Sequence, residues 1–352
     1  MLSVWVELMQ TLDWEIKSLL DQLERLQWSH RPNFDLVARM PIMTRSDLQR
    51  LKMQKGVYAT HTSGSTGEPV TVEKTFADYV WYIATNIRER IWRKWNFSRN
   101  VAVVKAGAKT EDINHWGIPR IVAPSQGMTY RIDLKPVSIL QTWLEEKNPH
   151  YLHCRPSVIS QLDLSRVPNL IDCKGTGEAG GTLYSSEECG SIAIQCPDNK
   201  AVYHVMENQL VEVDSDGALI ISTLTNPYIR RYKHGDHIEL GKCDCGRTLQ
   251  TITKINGRVR NMFVLPNGDR VWPIFGAPLF YEKFGIKRFK AIQTSVMDFE
   301  LQIVSPPLME REAELRELVR TKLGFPVNVH IVHVDGFPIN EKYEEFTSRV
   351  VG

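Results

Sequence analysis

The sequence predicts an α/β fold, with a large N-terminal domain of mainly parallel α/β layers plus an antiparallel β subdomain, and a small α+β C-terminal domain. Three observations support this prediction. Strand-like and helix-like apolar patterns alternate in the first half, as in a parallel sheet covered by helices. Short β-rich runs between turn residues occupy 201–240, which is typical of an antiparallel sheet. The chain, at 352 residues, is also longer than a typical single domain.

The first predicted element is an amphipathic helix, because apolar residues recur at steps of three and four from Trp5 to Leu26. Such a stripe packs on the protein's own core more often than on a membrane or a partner helix, so we expect internal packing. Thr44 is a candidate N-cap for a short second helix, since its hydroxyl can accept a hydrogen bond from the first helical turn.

The remaining elements follow from the same patterns. Apolar runs predict buried strands at Val101–Val104 and 117–123, and helical periodicity appears at 139–146 and 158–164. Further strands are predicted at 210–213, 218–223, 237–240, 288–294, 298–304 and 327–334, with a helix at 309–323. A break near Gly257 separates an N-terminal domain, 1–256, with its β subdomain at about 196–250, from a C-terminal domain, 257–352.

Composition narrows the classes of function. The 43 basic and 41 acidic residues give a formal charge of +2, which provides no net attraction to nucleic acid or membrane. The N-terminus lacks a basic segment followed by an uninterrupted apolar stretch, so we expect neither signal peptide nor anchor and place the protein in the cytoplasm. Six cysteines in a chain of this length do not indicate a disulfide scaffold.

A polar loop between apolar segments is the first candidate site. Residues 60–67 contain five hydroxyl side chains and two glycines. Glycines let backbone N–H groups turn toward phosphate oxygens, and hydroxyls add donors. The segment lacks the Gly-Lys-Ser/Thr ending of the P-loop NTPases. Its composition alone fits a plain surface loop equally well.

Further motifs follow this loop in a fixed order. They are Gly177-Glu178, Tyr184-Ser185-Ser186-Glu187-Glu188, Arg231-Tyr232-Lys233-His234-Gly235-Asp236, Gly257-Arg258 and Lys342. With this order the chain, from about Met40 to its end, resembles a shortened member of the AMP-forming adenylating (acyl-CoA synthetase-like) superfamily, in its phenylacetate–CoA ligase-like branch. The resemblance implies an acid–thiol ligase that activates a carboxylic acid with ATP and Mg²⁺, and a mobile C-terminal domain.

The resemblance also assigns the nucleotide contacts. Tyr184 would stack on adenine, Asp236 would accept hydrogen bonds from the ribose hydroxyls, and Arg258 would reach the ribose or phosphates. The alternatives are a core tyrosine, an ordinary Gly-Asp turn and a solvated arginine. The remaining residues that the resemblance implies for ATP binding are Thr62, Ser63, Gly64, Ser65, Thr66, Gly67, Gly177 and Glu178.

Catalytic roles follow in the same way. Glu188 matches the family's magnesium-contacting glutamate, and Glu187 takes that role if the register slips by one residue. Lys342 resembles the late lysine that places a positive charge between the acid's carboxylate and the α-phosphate. A solvated surface lysine is the alternative.

Four residues form a candidate metal site. Cys196, His204, Cys243 and Cys245 supply three thiolates and an imidazole, the ligand set of a structural zinc ion. Some phenylacetate–CoA ligase-like proteins, which this chain resembles, carry a similar arrangement in this subdomain. Unligated reduced cysteines fit the spacing equally well, because a long gap divides the ligands.

The acid and the acyl acceptor are less defined. Trp81, His115 and Trp116 flank regions that line the acid pocket in the family and would favour an aromatic or planar acid, although buried core aromatics are the commoner case. The family implies CoA as acceptor, and related enzymes use amines or carrier-protein thiols. An acid–amine ligase is therefore an alternative.

The chain departs from the family pattern in several places. Only residues 179–183 separate Glu178 from Tyr184, where the family has a helix and a strand. Loss of that strand would expose an edge of the sheet, and we expect a homodimer or a local rearrangement to cover it. Glu187, Asn261 and Glu341 replace usual family residues. These changes motivate a second hypothesis, a degenerate adenylate-binding or scaffold protein. A zinc-knuckle nucleic-acid binder is a third, and the near-zero charge argues against it.

Overall fold

The chain forms two compact units, residues 1–255 and 256–352. The computed structural model describes residues 2–61, 70–105, 107–135, 137–176, 180–258, 263–266, 268, 270–271, 280, 283–286, 288–338 and 344–350, without the side chains of 2–9, 157, 257–258, 270–271 and 309. Among these residues, no helix is both long enough and apolar enough to cross a bilayer.

Three helices open the N-terminal unit: α1 (Leu2–Leu26), α2 (Arg45–Arg50) and α3 (Phe76–Trp92). The predicted N-terminal helix is confirmed, and its apolar face packs on the protein's own core, where Ile16 and Leu23 join Ala84 and Ile87 of α3 in one buried cluster. The predicted cap at Thr44 is also confirmed, because its side chain accepts from the Asp47 N–H in a capping box.

A five-stranded, largely parallel sheet follows, as predicted for the first half. Its order is β4-β5-β3-β6-β7, and only the pairing of β4 with β5 is antiparallel. The elements are β3 (Val101–Val104), β4 (Glu111–Ile113), β5 (Thr129–Ile132), α4 (Val137–Lys147), β6 (Tyr151–Cys154), α5 (Pro156–Ile159) and β7 (Asp172–Gly175).

The edge strand of this sheet, β7, is capped from within the chain. Arg93 donates hydrogen bonds to the Asp172 carboxylate at 2.5 and 2.8 Å and to the Cys173 carbonyl at 2.7 Å. A guanidinium bound to the edge leaves one carbonyl fewer for strand pairing with another chain.

Two predictions in this region are wrong. Residues 117–123 form turns rather than a strand, because Val122 and Ala123 both donate to the Pro119 carbonyl, at 2.9 and 3.0 Å. The Gln126 side chain also takes up the carbonyls of Ile118 and Ala123, which a strand would have paired. The helix expected at 158–164 stops at Ile159 in α5, and a separate 3-10 turn covers Leu164–Arg166.

The second half of this unit is a seven-stranded sheet of order β11-β12-β13-β14-β10-β9-β8. Its strands are β8 (Leu183–Ser186), β9 (Gly190–Gln195), β10 (Tyr203–Val205), β11 (Gln209–Val213), β12 (Ala218–Thr223), β13 (Tyr232–Gly241) and β14 (Thr251–Arg258). Every pairing with a described register is antiparallel, which confirms the predicted β subdomain. A separate hairpin of β1 (Tyr58–His61) and β2 (Thr71–Lys74) packs Val72 into the core of this sheet.

The C-terminal unit has its own core. A four-stranded sheet of order β19-β18-β17-β20 packs with the helix Glu312–Leu323, as the α+β pattern predicts, and phenylalanines such as Phe289 and Phe299 fill the core. Its elements are β15 (Phe263–Val264), β16 (Arg270–Val271), β17 (Arg288–Gln293), β18 (Asp298–Val304), α6 (Glu312–Leu323), β19 (Asn328–His333) and β20 (Phe346–Ser348). The helix ends at Gly324, whose φ of 73° is left-handed and suits a residue without Cβ.

Candidate active site

Several predicted site residues lie outside the described part of the chain. These are Thr62, Ser63, Gly64, Ser65, Thr66 and Gly67 of the loop, together with Gly177, Glu178 and Lys342. The backbone of Arg258 ends β14, and its side chain is not described. The site is therefore built from the strands on either side of the loop and from the motifs at Tyr184 and Asp236.

The base of the predicted phosphate loop is held against the segment that follows Tyr184. Strands β1 and β2 flank residues 62–69 in sequence and pair antiparallel, with His61 opposite Thr71. The Thr60 hydroxyl donates to the Glu187 carbonyl at 2.7 Å, and the Lys74 ammonium donates to the Glu188 carbonyl at 2.6 Å. Two motifs more than a hundred residues apart in sequence are thus brought together by side-chain-to-backbone hydrogen bonds.

Tyr184 and Asp236 meet directly. The Tyr184 hydroxyl donates to Asp236 Oδ2 at 2.7 Å, and His234 Nδ1 lies 3.3 Å from the same oxygen. Strands β8 and β13 are not neighbours in the sheet order, so the sheet must curl to bring these side chains together. Tyr184 is half-buried and packs against the core of this sheet.

The two adjacent glutamates face different surroundings. Glu187 is exposed, whereas the Glu188 side chain is buried. Glu188 Oε1 lies 3.6 Å from an Arg45 nitrogen and accepts a hydrogen bond of 3.5 Å from the Tyr232 hydroxyl. Burial, together with the charge of Glu188, raises the pKa of the Tyr232 hydroxyl, which keeps it protonated as a donor.

The three aromatic pocket candidates separate in space. Trp81 lines a cavity of about 20 Å³ beside Tyr58, Lys74 and Ser191. Trp116 instead packs edge-on against Trp95, Phe97 and Tyr151, and its indole N–H donates to the Arg99 carbonyl at 2.9 Å.

His115 is not among the residues around this cavity. It is exposed, and its Nδ1 accepts from the Gly117 N–H at 2.8 Å, which is a local turn contact. Of the three aromatics, Trp81 is therefore the one that lines this cavity.

The predicted zinc ligands are gathered at one point. One ligand atom from each of Cys196, His204, Cys243 and Cys245 lies within 4.8 Å of all the others. The sulfurs of Cys196 and Cys243 are 3.8 Å apart, and Cys245 Sγ is 3.2 Å from His204 Nε2. Zn–S bonds of about 2.3 Å at the tetrahedral angle place two sulfurs roughly 3.8 Å apart. The separation of Cys196 and Cys243 therefore matches a tetrahedral zinc site, and His204 and Cys245 lie close enough to complete its ligand set.

The surroundings of this cluster act unequally on its ligands, because burial raises the pKa of the Cys243 thiol to about 11 whereas the pKa values of His204 and Cys245 are lowered. Burial lowers the pKa of His204 to about 4, so the imidazole is neutral and can offer its Nε2 lone pair. Burial opposes ionisation of Cys245, but hydrogen bonds with Arg247, Cys243 and Cys196 together lower the pKa of this thiol. The Arg247 guanidinium lies 5.0 Å from the Trp92 ring, which packs edge-on against His204.

The structure adds two residues to the site that the motif analysis leaves without a role. His234 lies within the quoted motif that ends at Asp236, so its position in that motif was the available signal. Lys74 had no signal, because a lysine in a short polar strand is usually solvated. Only the tertiary packing shows that this ammonium is buried.

Solved structures provide the comparison with known proteins. No protein-family model and no curated protein sequence matches the chain. A structure of 2-hydroxyisobutyryl-CoA ligase, in the postadenylation state with 2-HIB-AMP, superposes with a TM-score of 0.67 at 16% identity, covering 97% of this chain and 88% of that one.

Two further structures are similar over a smaller share. O-succinylbenzoate coenzyme A synthetase (MenE) from Bacillus subtilis, in complex with AMP, gives a TM-score of 0.53 at 11% identity, covering 82% of this chain and 67% of that one. Amide bond synthetase McbA from Marinactinospora thermotolerans gives a TM-score of 0.52 at 14% identity, covering 80% of this chain and 65% of that one. The chain therefore has the fold of these ligases, which confirms the fold that the motif order predicts.

Proposed function

We propose that this chain is an AMP-forming ligase that adenylates a carboxylic acid and passes the acyl group to a second nucleophile. The observation that carries the proposal is the convergence at one place of motifs that are distant in sequence. Tyr184 is hydrogen-bonded to Asp236, and Glu187, three residues after Tyr184, is tied to the base of the predicted phosphate loop. These contacts occur on a fold shared with ligases of this reaction type.

The proposed first step is attack of the acid's carboxylate oxygen on the α-phosphorus of ATP, which breaks the bond to the β-phosphate oxygen and releases pyrophosphate. Tyr184 supplies a flat surface for adenine, and Asp236 accepts hydrogen bonds from the ribose hydroxyls. Residues 62–67 hold the β- and γ-phosphates through N–H and hydroxyl donors. Lys342 places positive charge where negative charge develops, which stabilises the transition state more than the ground state.

The second step is attack of the acceptor on the carbonyl carbon of acyl-AMP, with AMP as leaving group. The similar structures include CoA ligases and an amide synthetase, so a CoA thiol or an amine is the acceptor in this proposal. A carrier-protein thiol would react by the same chemistry. We also propose that the protein acts in the cytoplasm, where ATP and CoA are available.

Two metal ions belong to the proposal. Mg²⁺ would be held by Glu187 or Glu188 and would neutralise charge on the ATP phosphates. Structural zinc would be held by Cys196, His204, Cys243 and Cys245, where it would join β9, β10 and the segment before β14.

The test is acid-dependent exchange of labelled pyrophosphate into ATP across a panel of carboxylic acids. We expect exchange with at least one acid, and a loss of at least a hundredfold in Lys342→Ala, because one fixed charge at a transition state is worth about 3 kcal/mol. Lys322→Ala is the matched control, since Lys322 is an exposed lysine on α6 of the same unit.

Two outcomes would count against the assignments. Exchange that is unchanged in Lys342→Ala would remove the catalytic role of this lysine. ATP binding by calorimetry without exchange on any acid would favour the scaffold hypothesis over the ligase. Product analysis with CoA or with amines then identifies the acceptor.

A further inference from the structure

The segment that joins β13 to β14, residues 242–250, carries two of the four proposed zinc ligands, Cys243 and Cys245, and forms neither helix nor strand. Its backbone lacks a strand ladder, so side-chain contacts and bound groups determine its conformation. Arg247 lies two residues after Cys245 and supplies several of these contacts.

One set of contacts joins Arg247 to the cluster. Its backbone N–H and its guanidinium both hydrogen-bond Cys245. The guanidinium also donates at 2.5 Å to Asp198, which lies two residues after Cys196. Groups that hydrogen-bond a metal ligand fix its orientation and tune the metal. Zn²⁺ with three thiolates and a neutral imidazole carries a net negative charge, which a guanidinium complements.

A second set of contacts joins Arg247 to the end of α1. Arg247 Nε donates to Gln27 Oε1 at 3.0 Å, and the guanidinium lies over the Trp28 ring at 4.9 Å from its centroid. The next residue, Thr248, donates its N–H to the Gln27 carbonyl at 2.9 Å. Gln27 and Trp28 belong to the turn that follows α1, so this turn is packed directly on the segment that carries Cys245.

The two sets of contacts share one rigid group. The Arg247 side chain is only 9% exposed, and it also lies over the Trp92 ring, at 5.0 Å. Trp92 in turn packs edge-on against the ligand His204. A planar guanidinium holds its donors in fixed directions, so its orientation toward Cys245 also sets its orientation toward Gln27.

We propose that Arg247 is a positioning residue of the metal centre, and that through it metal binding is coupled to docking of the end of α1. With Cys245 held as a ligand, Arg247 is aligned for Gln27 and Trp28. A docked α1 end holds Arg247 toward the thiolate in return. Such coupling is reciprocal, so each event strengthens the other by the same factor. This inference rests on the proposed zinc site and is independent of the ligase activity.

Metal affinity of the full chain tests the first direction of the coupling. We expect Arg247→Met to weaken Zn²⁺ binding, measured by competition with a chelator, by roughly 10- to 100-fold. Trp28→Ala should weaken it by about threefold, the effect of one exposed cation–π contact, although Trp28 is not a ligand. Arg166→Met is the matched control, since Arg166 is an exposed arginine paired with Glu145, and its affinity should equal that of the wild type.

Cobalt in place of zinc gives a readout that a loss of stability alone would not move. A hydrogen bond to sulfur lowers the energy of its lone pairs. Its loss in Arg247→Met should therefore shift the thiolate-to-cobalt absorption band to longer wavelength, and Arg247→Lys, which keeps the charge, should restore part of the shift. An unshifted band, or wild-type metal affinity, in a folded Arg247→Met protein would overturn the positioning role.

Hydrogen exchange of the wild-type chain tests the other direction and needs no variant. We expect removal of metal by a chelator to speed amide exchange at 26–30 as well as at 242–250, because the Thr248 N–H would lose its bond to the Gln27 carbonyl. Strand β5 of the same unit should keep its protection. Exchange at 26–30 that does not respond to the chelator would overturn the coupling.

The outcomes also separate this inference from the zinc proposal. A chain that binds neither Zn²⁺ nor Co²⁺ would overturn both. Metal binding of equal affinity in the wild type, Arg247→Met and Trp28→Ala would retain the zinc site and overturn the coupling alone. If Arg247→Met fails to fold, Trp28→Ala, a change at an exposed side chain, and the hydrogen exchange of the wild-type chain decide the question.

Discussion

At the scale of single residues, the site depends on side chains that constrain one another. Asp236 receives the Tyr184 hydroxyl at 2.7 Å and has His234 at 3.3 Å, so its carboxylate is oriented before any ligand arrives. Glu187 and Glu188 are adjacent in sequence, yet one is exposed and the other is buried beside Arg45. The two glutamates therefore differ in their access to solvent and in their charged neighbours, although they are adjacent in sequence.

Replacing Asp236 tests the proposed ribose contact. We expect Asp236→Asn to weaken ATP binding at least tenfold, because hydrogen bonds to a charged acceptor contribute about 1.5–3 kcal/mol. Tyr184→Phe should have a smaller effect, since it keeps the ring and removes only the hydroxyl. Calorimetry with ATP measures both, with Asp216→Asn, an exposed turn aspartate, as control. Wild-type affinity in Asp236→Asn would show that this carboxylate does not bind the nucleotide.

At the scale of elements, α3 connects the other parts of the N-terminal unit through buried charges. Glu89 forms an ion pair with Lys174 of β7 and accepts from the Thr182 hydroxyl at 2.5 Å. The preceding residue, Arg88, pairs with Glu207 at 2.6 Å. Thr85 lies four residues before Glu89 on the same side of α3, so these buried pairs also fix the position of Thr85 at the cavity.

Breaking one of these pairs should destabilise the fold. We expect Lys174→Met to lower the free energy of unfolding by about 3–5 kcal/mol, because Glu89 would keep a buried charge without its cation. The double variant Lys174→Met/Glu89→Leu should recover much of that loss. Urea denaturation measures the changes, and Asp21→Ala, which breaks the exposed Lys17–Asp21 pair, should cost less than about 1 kcal/mol. If Lys174→Met lowered the free energy of unfolding no more than Asp21→Ala does, the buried pair would contribute little to stability.

At the scale of the whole molecule, the chain is two units with separate cores. The N-terminal unit contains Tyr184 and Asp236, which we propose bind the nucleotide, together with the small cavity and the Cys/His cluster. The C-terminal unit has a phenylalanine-rich core of its own. Two cores of this kind can unfold in separate transitions.

Removal of metal should distinguish the units. We expect a zinc chelator to lower the melting temperature of the N-terminal unit by about 5–10 °C and to leave the other transition in place, because only the folded Cys/His cluster binds the ion tightly. Differential scanning calorimetry with metal analysis measures this. Cys245→Ser should behave like chelation, whereas Cys173→Ser, outside the cluster, should not. Purified protein without zinc, and with unchanged melting on chelation, would exclude a structural metal.

Sequence patterns determined the order and type of most elements, because apolar periodicity reports which face of a helix or strand is buried. The N-terminal helix, the antiparallel strands after residue 201 and the α+β unit all follow from it, whereas the Thr44 cap follows from the hydroxyl of that residue. The prediction at 117–123 failed because the Gln126 side chain and the Pro119 carbonyl replace strand pairing with local hydrogen bonds. Apolar periodicity carries no information about such local hydrogen bonds.

Only the tertiary structure decided which distant residues meet. The curl of the seven-stranded sheet joins Tyr184 to Asp236, and strand pairing brings Cys196 and His204 to Cys243 and Cys245. Burial decided the rest, since Lys74 and Asn208 are ordinary polar residues until packing removes them from water. Local sequence records the propensities of a segment, whereas desolvation and long-range contacts depend on the whole fold.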